Sequence, residues 1–315
     1  MAVAFVFPGQ GSQFIGMGKD LAQAFPEARQ TFQEVDDSLS QSLSAMMFDG
    51  HDIDLNLTEN TQPALMAVSM AVVNVLKAQG GIDVKSTCAF VAGHSLGEYA
   101  ALTAAGTIAL SDTARLLKLR GQSMQRAVPV GVGSMAAILG LDFDVVAEIA
   151  AQAAEHEVCT AANDNSDGQV VVSGHKDAVE RAVAIATERG ARKAVILPVS
   201  APFHCSLMAP AAEAMAPALA ETTFNAPAVP VVANVTASAQ SAPETLKNLL
   251  LEQITGMVRW RESVLYMRDQ GVEQMIELGA GKVLSGLARR IDRSIACESV
   301  GTPEQIDALI TKLKG

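Results

Sequence analysis

A serine between two glycines, Ser95 in GHSLGEYAAL (residues 93–102), has the residue type and spacing of a nucleophile. Gly-x-Ser-x-Gly between a strand and a helix is typical of a nucleophile elbow, a tight turn that projects the hydroxyl from the edge of a sheet. The helix that follows offers free main-chain N–H groups to a developing oxyanion. Because the pattern also occurs by chance, a turn serine without a catalytic role is the alternative. The strand–turn–helix context favours the nucleophile.

A serine hydroxyl needs a base, and the chain offers five histidines. Three lie in polar surroundings and are expected to be solvated: His51, His156 and His175. His94 adjoins Ser95, but its place in the turn directs it elsewhere, so we expect a structural role. His204, in PVSAPFHCSLM, is the candidate base, with a hydrogen-bonded core histidine as the alternative. No acid between Ser95 and His204 stands out as a triad member, so we expect a Ser–His dyad.

Arg120 is a third candidate because of its position in the helical segment SDTARLLKLRGQSMQRAVP. It lies three or four residues from Leu116, Leu117 and Met124, which places it on the apolar face. An arginine there needs a partner because an uncompensated buried charge is costly. A structural salt bridge, or a guanidinium that reaches water, is the ordinary explanation. The functional explanation is a fork that binds a substrate carboxylate through two hydrogen bonds.

Strands that alternate with helices must position these side chains. Residues 2–7, AVAFVF, predict a buried strand, and a second strand precedes Ser95, followed by a helix from about Leu96 to Ala105. Near the end of the chain, a strand at 272–278 and a helix at 283–291 repeat this order. The alternation predicts an α/β fold with a largely parallel sheet.

The middle of the chain has a different order of elements. Residues 134–199 predict strand, helix, strand, strand, helix and strand, which is the ferredoxin-like βαββαβ pattern. We therefore expect a small domain at 128–200, inserted into a larger α/β domain formed by residues 1–127 and 201–315.

The composition narrows the classes of function. Of the 315 residues, 49% are hydrophobic and 18% are charged, which is typical of a globular protein. The net charge of −11 argues against nucleic acid or an anionic membrane as the main partner. The four cysteines form no CxxC pair, so we expect neither a disulfide framework nor a metal site. The N-terminal segment lacks a signal-peptide pattern, and we expect a cytoplasmic protein.

Three glycine-rich segments, FPGQGSQ, GVGSMA and GAGKVLSG, depart from the spacing or the context of nucleotide-binding loops. We therefore expect no bound cofactor. The role that we expect for PGQGSQ is a close approach of its backbone to the elbow, with a main-chain N–H beside Ser95.

Taken together, the motifs resemble those of the malonyl-CoA:acyl-carrier-protein transacylases of fatty-acid synthesis. The resemblance runs nearly end to end and rests on FPGQGSQ, TQPAL, GHSLGEYAAL, RGQSMQ, AVPVGVGSMAAILG, NSDGQVVVSGHKDAVERA, LPVSAPFH, FNAPAVPVV and GAGKVLSGL. It implies a hydrolase-like α/β large domain with a ferredoxin-like insert. It also implies transfer of a malonyl group from malonyl-CoA to the phosphopantetheine thiol of acyl carrier protein, through an ester on the serine and in a ping-pong sequence. We expect a monomer.

The resemblance implies a role for each candidate residue. Ser95 is the acylated nucleophile, His204 is its base, and Arg120 binds the malonyl carboxylate. The side-chain oxygen of Gln253 is implied to orient the histidine in place of a triad acid.

Further roles are implied around the nucleophile. The main-chain N–H groups of Gln10 and Leu96 would form the oxyanion hole. The residues implied to line the substrate site are Asn163, Asn165 and Phe203. Phe203 stands where many bacterial members have serine, and its bulk near the substrate α-carbon predicts a preference for malonyl over methylmalonyl groups. Two other departures, Asp164 in place of a frequent aromatic residue and Ala280 in place of proline, do not touch the chemistry.

The implied partner, acyl carrier protein, is typically acidic, as this chain is, so docking requires a basic patch. The candidates are Lys282, Arg289, Arg290 and Arg293, with an ordinary solvated face as the alternative. Two other classes of function stay open. One is a serine esterase or thioesterase, which the missing third acid and Arg120 disfavour. The other is a binding or scaffold protein without catalysis.

Overall fold

Two separate β-sheets organise the computed structural model, which describes residues 2–199 and 201–314. The strands are β1 Ala2–Phe7, β2 Phe90–Gly93, β3 Gly133–Leu139, β4 Cys159–Ser166, β5 Gln169–His175, β6 Lys193–Ile196, β7 Val231–Ala233, β8 Ser238–Gln240, β9 Val272–Leu278 and β10 Ala296–Val300. The helices are α1 Lys19–Ala24, α2 Pro26–Leu39, α3 Leu43–Asp49, α4 Asp52–Leu55, α5 Thr58–Gly80, α6 Val84–Thr87, α7 Gly97–Ala104, α8 Leu110–Arg126, α9 Phe143–Ala154, α10 Lys176–Glu188, α11 Ala209–Glu221, α12 Pro243–Gln253, α13 Trp260–Asp269, α14 Val283–Ile291 and α15 Pro303–Lys314.

The first sheet has the order β10-β9-β1-β2-β7-β8, and all its neighbours are parallel except the antiparallel edge pair β7–β8. The central strand β1 is an unbroken apolar run because helices cover both faces of a parallel sheet. The predicted α/β class with a largely parallel sheet is confirmed. Residues Phe7 and Gly93 lie side by side at the carboxyl ends of β1 and β2, the edge from which Ser95 projects.

Helix α5 is the core helix of the part of the protein that is built on the first sheet, which we call the first body. It is long and apolar enough to cross a membrane, but 78% of its most apolar 18-residue window is buried, as expected for a helix in a protein core. It begins at Thr58 and ends at Gly80. Helix α8 packs against it, and Gly121 permits this close approach, since a Cβ there would lie 2.5 Å from the Cα of Glu59. The packing brings Arg120, the preceding residue, against α5.

The second sheet is antiparallel, with the order β4-β5-β3-β6 and with α9 and α10 packed on it. Its elements follow one another as strand, helix, strand, strand, helix and strand, the order that the sequence predicts. The predicted limits of the two domains stay predictions. Three residues at those limits, Met1, Ser200 and Gly315, lie outside the described residues.

Strand β4 attaches the second sheet to the first body. The Asp164 amide donates to the Val258 carbonyl (3.0 Å), and the Val258 amide donates to the Ala162 carbonyl (2.9 Å). The Asp164 carboxylate, 1% exposed, pairs with the Arg261 guanidinium at 2.9 Å. These contacts hold the end of β4 opposite the elbow that follows β2.

The elbow at Ser95 depends on its two glycines. Ser95 has φ 53°, a left-handed conformation that is costly for a residue with a side chain. A Cβ at Gly93 would overlap the backbone of Gly97, and a Cβ at Gly97 would overlap the carbonyl oxygen of Phe7. The absence of both side chains therefore lets α7 start directly against β1 and β2.

We predict that Gly97→Ala destabilises the protein by about 3 kcal/mol or more, because the overlap is with the main chain, which cannot rotate away. The matched control is Gly286→Ala in α14, where a Cβ meets nothing within 4 Å. That substitution is expected to stabilise by about 1 kcal/mol through helix propensity. Urea unfolding measures both, and equal stabilities for the two variants would contradict the steric explanation.

Candidate active site

The structure brings Ser95 and His204 together at the edge between the two sheets. The Ser95 Oγ lies 2.8 Å from the His204 Nε2, although 109 residues separate them. Ser95 follows β2, whereas His204 lies in a turn with φ 59° just before the short 3₁₀ helix Ser206–Met208. The imidazole is 4% exposed. This is the geometry of a hydroxyl with an adjacent base.

The partners of the other ring nitrogen fix the tautomer of His204. The Nδ1 lies 2.8 Å from the carbonyl oxygen of Gln253 and 3.1 Å from that of Gly256. Because carbonyl oxygens only accept, Nδ1 carries the proton, and Nε2 is free to accept the proton of Ser95.

The role expected for the Gln253 side chain is therefore wrong. The group that orients His204 is the main-chain carbonyl of Gln253, not its side-chain oxygen. Gln253 is the last residue of α12, and the last carbonyls of a helix lack partners within the helix and carry negative partial charge. The side chain turns the other way: its Oε1 accepts from the Arg120 Nη2 at 2.9 Å.

Arg120 is buried beside the nucleophile, with 1% of its surface exposed. Its Nη2 lies 3.2 Å from the Ser95 Oγ, and its Nη1 donates to the Gln62 Oε1 at 2.8 Å. The guanidinium carbon lies 5.7 Å from the centroid of the Tyr99 ring. These direct partners are neutral, so none of them compensates the positive charge of the guanidinium. A substrate anion next to Ser95 could do so.

A cavity of about 170 Å³ opens above Ser95. A cavity of similar volume, about 150 Å³, holds one benzene molecule, so the space suits a group of about six non-hydrogen atoms. Gln10 and Leu96 line it, and neither main-chain amide donates to another group in the described part of the chain. Two free N–H groups beside a serine hydroxyl can bind an oxyanion.

The second sheet supplies the opposite wall of the cavity. Asn163 and Asn165 of β4 line the cavity, and so does Phe203 from the loop before His204; all three are residues predicted to line the substrate site. The His94 Nε2 lies 2.8 Å from the Asn165 Oδ1, so His94 links the elbow to the second sheet. Within residues 2–199 and 201–314, no group of three His, Cys, Asp or Glu side chains is placed to hold a metal ion.

Burial and the neighbouring cation set the protonation of the base. Burial, followed by the charge of Arg120, lowers the pKa of His204 to about 3 from its ordinary value of 6.5. In these surroundings the imidazole is neutral at ordinary pH, and it is a weak base. An anion that compensates Arg120 would remove part of this effect and strengthen the base.

Three site residues were not identified from the sequence: Gln62, Glu98 and Asn234. Gln62 contacts Arg120, and the Asn234 Oδ1 accepts from the Ser95 main-chain amide at 2.7 Å. Glu98 is fully buried below the elbow. A carboxylate within the otherwise apolar run LGEYAAL is the one local sign that the sequence carries.

The four basic candidates lie on or beside α14, and all are exposed: Lys282, Arg289, Arg290 and Arg293. Arg289 donates to the carbonyl oxygen of Cys297 at 2.6 Å, and Arg290 donates to the Gln169 Oε1 at 2.8 Å. Gly281, just before this helix, packs against Ser12, two residues after Gln10.

Comparisons with known proteins agree on one group. Residues 4–311 match the family described as acyl transferase domain. The malonyl CoA-acyl carrier protein transacylase of Escherichia coli strain K12 is 47% identical, over 98% of each chain. The acyl-carrier-protein-S-malonyltransferase structure from Bartonella henselae is 55% identical, covers all of both chains and superposes with a TM-score of 0.98. A malonyl-transacylase solved in complex with a type II PKS acyl-carrier protein is 42% identical, covers 99% of this chain and 100% of its own, and has a TM-score of 0.96.

The geometry predicts that Arg120→Met raises the pKa of His204 from about 3 towards its ordinary value of 6.5. The pKa should stay below 6.5, because burial is the larger cause and persists in the variant. NMR titration of the histidine rings from about pH 8 down to about pH 4 measures this, with His204→Asn to assign the signal: the wild-type ring should stay neutral over this range, and the variant ring should gain a proton within it.

Arg115→Met is the control, since Arg115 lies on the exposed face of the same helix and pairs with Asp112. Its substitution should leave the His204 titration unchanged. A His204 that titrates identically in the Arg120 and Arg115 variants would show that the guanidinium does not act on the base.

Proposed function

Since this chain belongs to the acyl transferase domain family, we propose that it transfers a malonyl group from malonyl-CoA to acyl carrier protein and so supplies extender units for fatty-acid synthesis. The observation that carries the proposal is the position of Arg120, whose Nη2 lies 3.2 Å from the nucleophile Ser95 Oγ. A short acyl group on Ser95 that ends in a carboxylate can reach this guanidinium, whereas an acetyl group offers it no anion.

Acylation begins with attack of the Ser95 Oγ on the thioester carbonyl carbon. The hydroxyl proton moves to the His204 Nε2, and the main-chain amides of Gln10 and Leu96 stabilise the oxyanion. The carbon–sulfur bond then breaks, and the CoA sulfur takes the proton from His204. The product is a malonyl ester of Ser95.

Deacylation reverses these roles. The phosphopantetheine thiol of the carrier protein gives its proton to the His204 Nε2 and attacks the ester carbonyl carbon. The carbon–oxygen bond breaks, and Ser95 recovers the proton. The reaction is a ping-pong sequence that uses a Ser–His dyad and no bound cofactor.

Two features adapt the site to a small extender group with one carboxylate. The cavity suits about six non-hydrogen atoms, which is the size of a malonyl group. Phe203, 8% exposed, lines it and fills space near the substrate α-carbon, which favours malonyl over methylmalonyl.

The finer description of the fold belongs to the same proposal. We describe the first body, residues 1–127 and 201–315, as hydrolase-like and residues 128–200 as a ferredoxin-like insert. The order β4-β5-β3-β6 of the second sheet, with two helices on it, supports this description. We propose that the protein acts as a monomer in the cytoplasm.

The carrier protein is proposed to dock beside α14. Helix α14 begins next to the loop that carries Gln10, and the exposed cations on and beside this helix suit an acidic partner. A relative has been solved in complex with an acyl-carrier protein, which supports the class of partner.

Intact-mass spectrometry after mixing with malonyl-CoA tests the function. The wild-type protein should gain one malonyl group, and Ser95→Ala should gain none. Arg120→Ala should slow malonyl loading by about one to two decades more than acetyl loading, because a hydrogen bond to a charged group contributes about 1.5–3 kcal/mol.

Two results would contradict the proposal. Loading that persists in Ser95→Ala would exclude the nucleophile, and equal losses for malonyl and acetyl loading in Arg120→Ala would exclude the carboxylate clamp. Partition of the acyl-enzyme between water and added pantetheine thiol separates a transferase, which favours the thiol, from a thioesterase.

The docking proposal predicts that reversing Lys282 and Arg293 to glutamate raises the KM for the carrier protein at low salt and leaves the KM for malonyl-CoA unchanged. These two cations make no hydrogen bond or ion pair with other described residues, so their loss spares the fold. The control reverses Lys85 and Lys193, exposed cations outside α14 whose side chains likewise make no hydrogen bond or ion pair with other described residues. Steady-state kinetics that change equally in both double variants would place the docking surface elsewhere.

A further inference from the structure

A carboxylate that the proposed mechanism does not use lies directly below the nucleophile. Glu98 is in the first turn of α7, three residues after Ser95, and is fully buried. Its Oε2 accepts from the Gln253 Nε2 at 2.8 Å and from the main-chain amide of Asn234 at 2.9 Å. Burying a carboxylate costs folding free energy unless the charge is paired and hydrogen-bonded.

The Gln253 amide connects this carboxylate to the cation of the site. Its Nε2 donates to Glu98, and its Oε1 accepts from the Arg120 Nη2 at 2.9 Å. The amide thus has its dipole aligned between the two charges. The alignment also fixes which end of the amide faces Arg120, because only the oxygen can accept from a guanidinium.

Arg120 has no carboxylate in direct contact within the described ranges, although it is buried. The Gln253 amide links Arg120 to the Glu98 carboxylate by hydrogen bonds. The opposite charges of Arg120 and Glu98 also attract each other through space. Burial raises the pKa of Glu98 to about 7, while the hydrogen bonds from Asn234 and Gln253 and the charge of Arg120 oppose this rise. The carboxylate is therefore ionised in mildly basic solution.

We propose that Glu98 is the counter-ion of Arg120 in the unloaded enzyme, acting through the Gln253 amide, and that the substrate carboxylate takes over this role when a malonyl group binds. This inference rests on the proposed function. Glu98 is a positioning and specificity residue that does not touch the substrate. Its charge stabilises the empty site and opposes a second anion, so it weakens malonyl binding and leaves acetyl binding unaffected.

Glu98→Gln tests the proposal, because it removes the charge and keeps the shape. The glutamine oxygen can accept both hydrogen bonds, and the new amide nitrogen takes the place of the Glu98 Oε1, which has no hydrogen-bond partner in residues 2–199 and 201–314. In a Ser95→Ala background, which prevents turnover, calorimetry at about pH 8 gives the Kd of malonyl-CoA and of acetyl-CoA. We expect Glu98→Gln to lower the Kd of malonyl-CoA by about tenfold and to leave that of acetyl-CoA unchanged.

The matched control is Glu277→Gln. Glu277 is also fully buried, but its carboxylate binds the amides of Leu284 and Ser285 at the start of α14, away from Arg120. This variant should leave both dissociation constants unchanged. Equal changes for malonyl-CoA and acetyl-CoA in Glu98→Gln, or no change in either, would overturn the proposal.

A double-mutant cycle in the free protein makes the test independent of substrate. Glu98→Gln should destabilise the wild-type background in urea and should destabilise an Arg120→Met background far less, since the cation is then absent. If Glu98→Gln alone does not fold, recovery of folding in the double variant supports the counter-ion, and continued failure overturns it.

The two hypotheses fail in different ways. If the Ser95→Ala protein with Glu98 intact binds malonyl-CoA no more tightly than acetyl-CoA, the proposed function is wrong. If it discriminates but the unfolding cycle shows additive losses, the function stands and the counter-ion role is wrong.

Discussion

The buried guanidinium of Arg120 is the constraint on which the rest of the site depends. A cation with 1% exposure can be held only by polar groups that the fold brings to it, and Gln62 and Gln253 come from helices α5 and α12. The same charge acts on His204, whose pKa it lowers together with burial. Under the proposed function, a substrate carboxylate offsets this charge and strengthens the base. Binding of the substrate carboxylate by Arg120 thereby makes Ser95 a more reactive nucleophile.

The nucleophile and its base are both held in strained conformations. Ser95 and His204 have positive φ angles although neither is glycine, and such conformations persist only where their surroundings fix them. The Ser95 amide is fixed by the Asn234 Oδ1, and the Asn234 Nδ2 donates to the carbonyl of Gly93, so one side chain ties both ends of the turn. His204 is fixed by the carbonyl oxygens of Gln253, the last residue of α12, and of Gly256, which follows the helix. Strain at these two residues is the cost of placing an oxygen and a nitrogen 2.8 Å apart.

The sequence predicted what local patterns determine and missed what distant contacts determine. The elbow at Ser95 and the apolar-face position of Arg120 follow from spacing within one turn or one helix, and the structure places both side chains in the same cavity. Gln253 was assigned to the correct neighbourhood but with the wrong atom, because its role depends on where α12 ends and on which way the side chain turns. Glu98 and Asn234 meet across 136 residues, and no pattern in one segment reports such a pair.

The cavity itself belongs to neither sheet alone, and this explains why β4 is tied so firmly to the first body. Asn163 and Asn165 flank Asp164, whose carboxylate and amide bind Arg261 and Val258 of the first body. A buried carboxylate with a charged partner resists sliding, because any movement that parts the pair leaves it uncompensated. Asp164 therefore has a structural consequence: its ion pair with Arg261 sets the distance between the wall that carries the asparagines and the wall that carries the nucleophile.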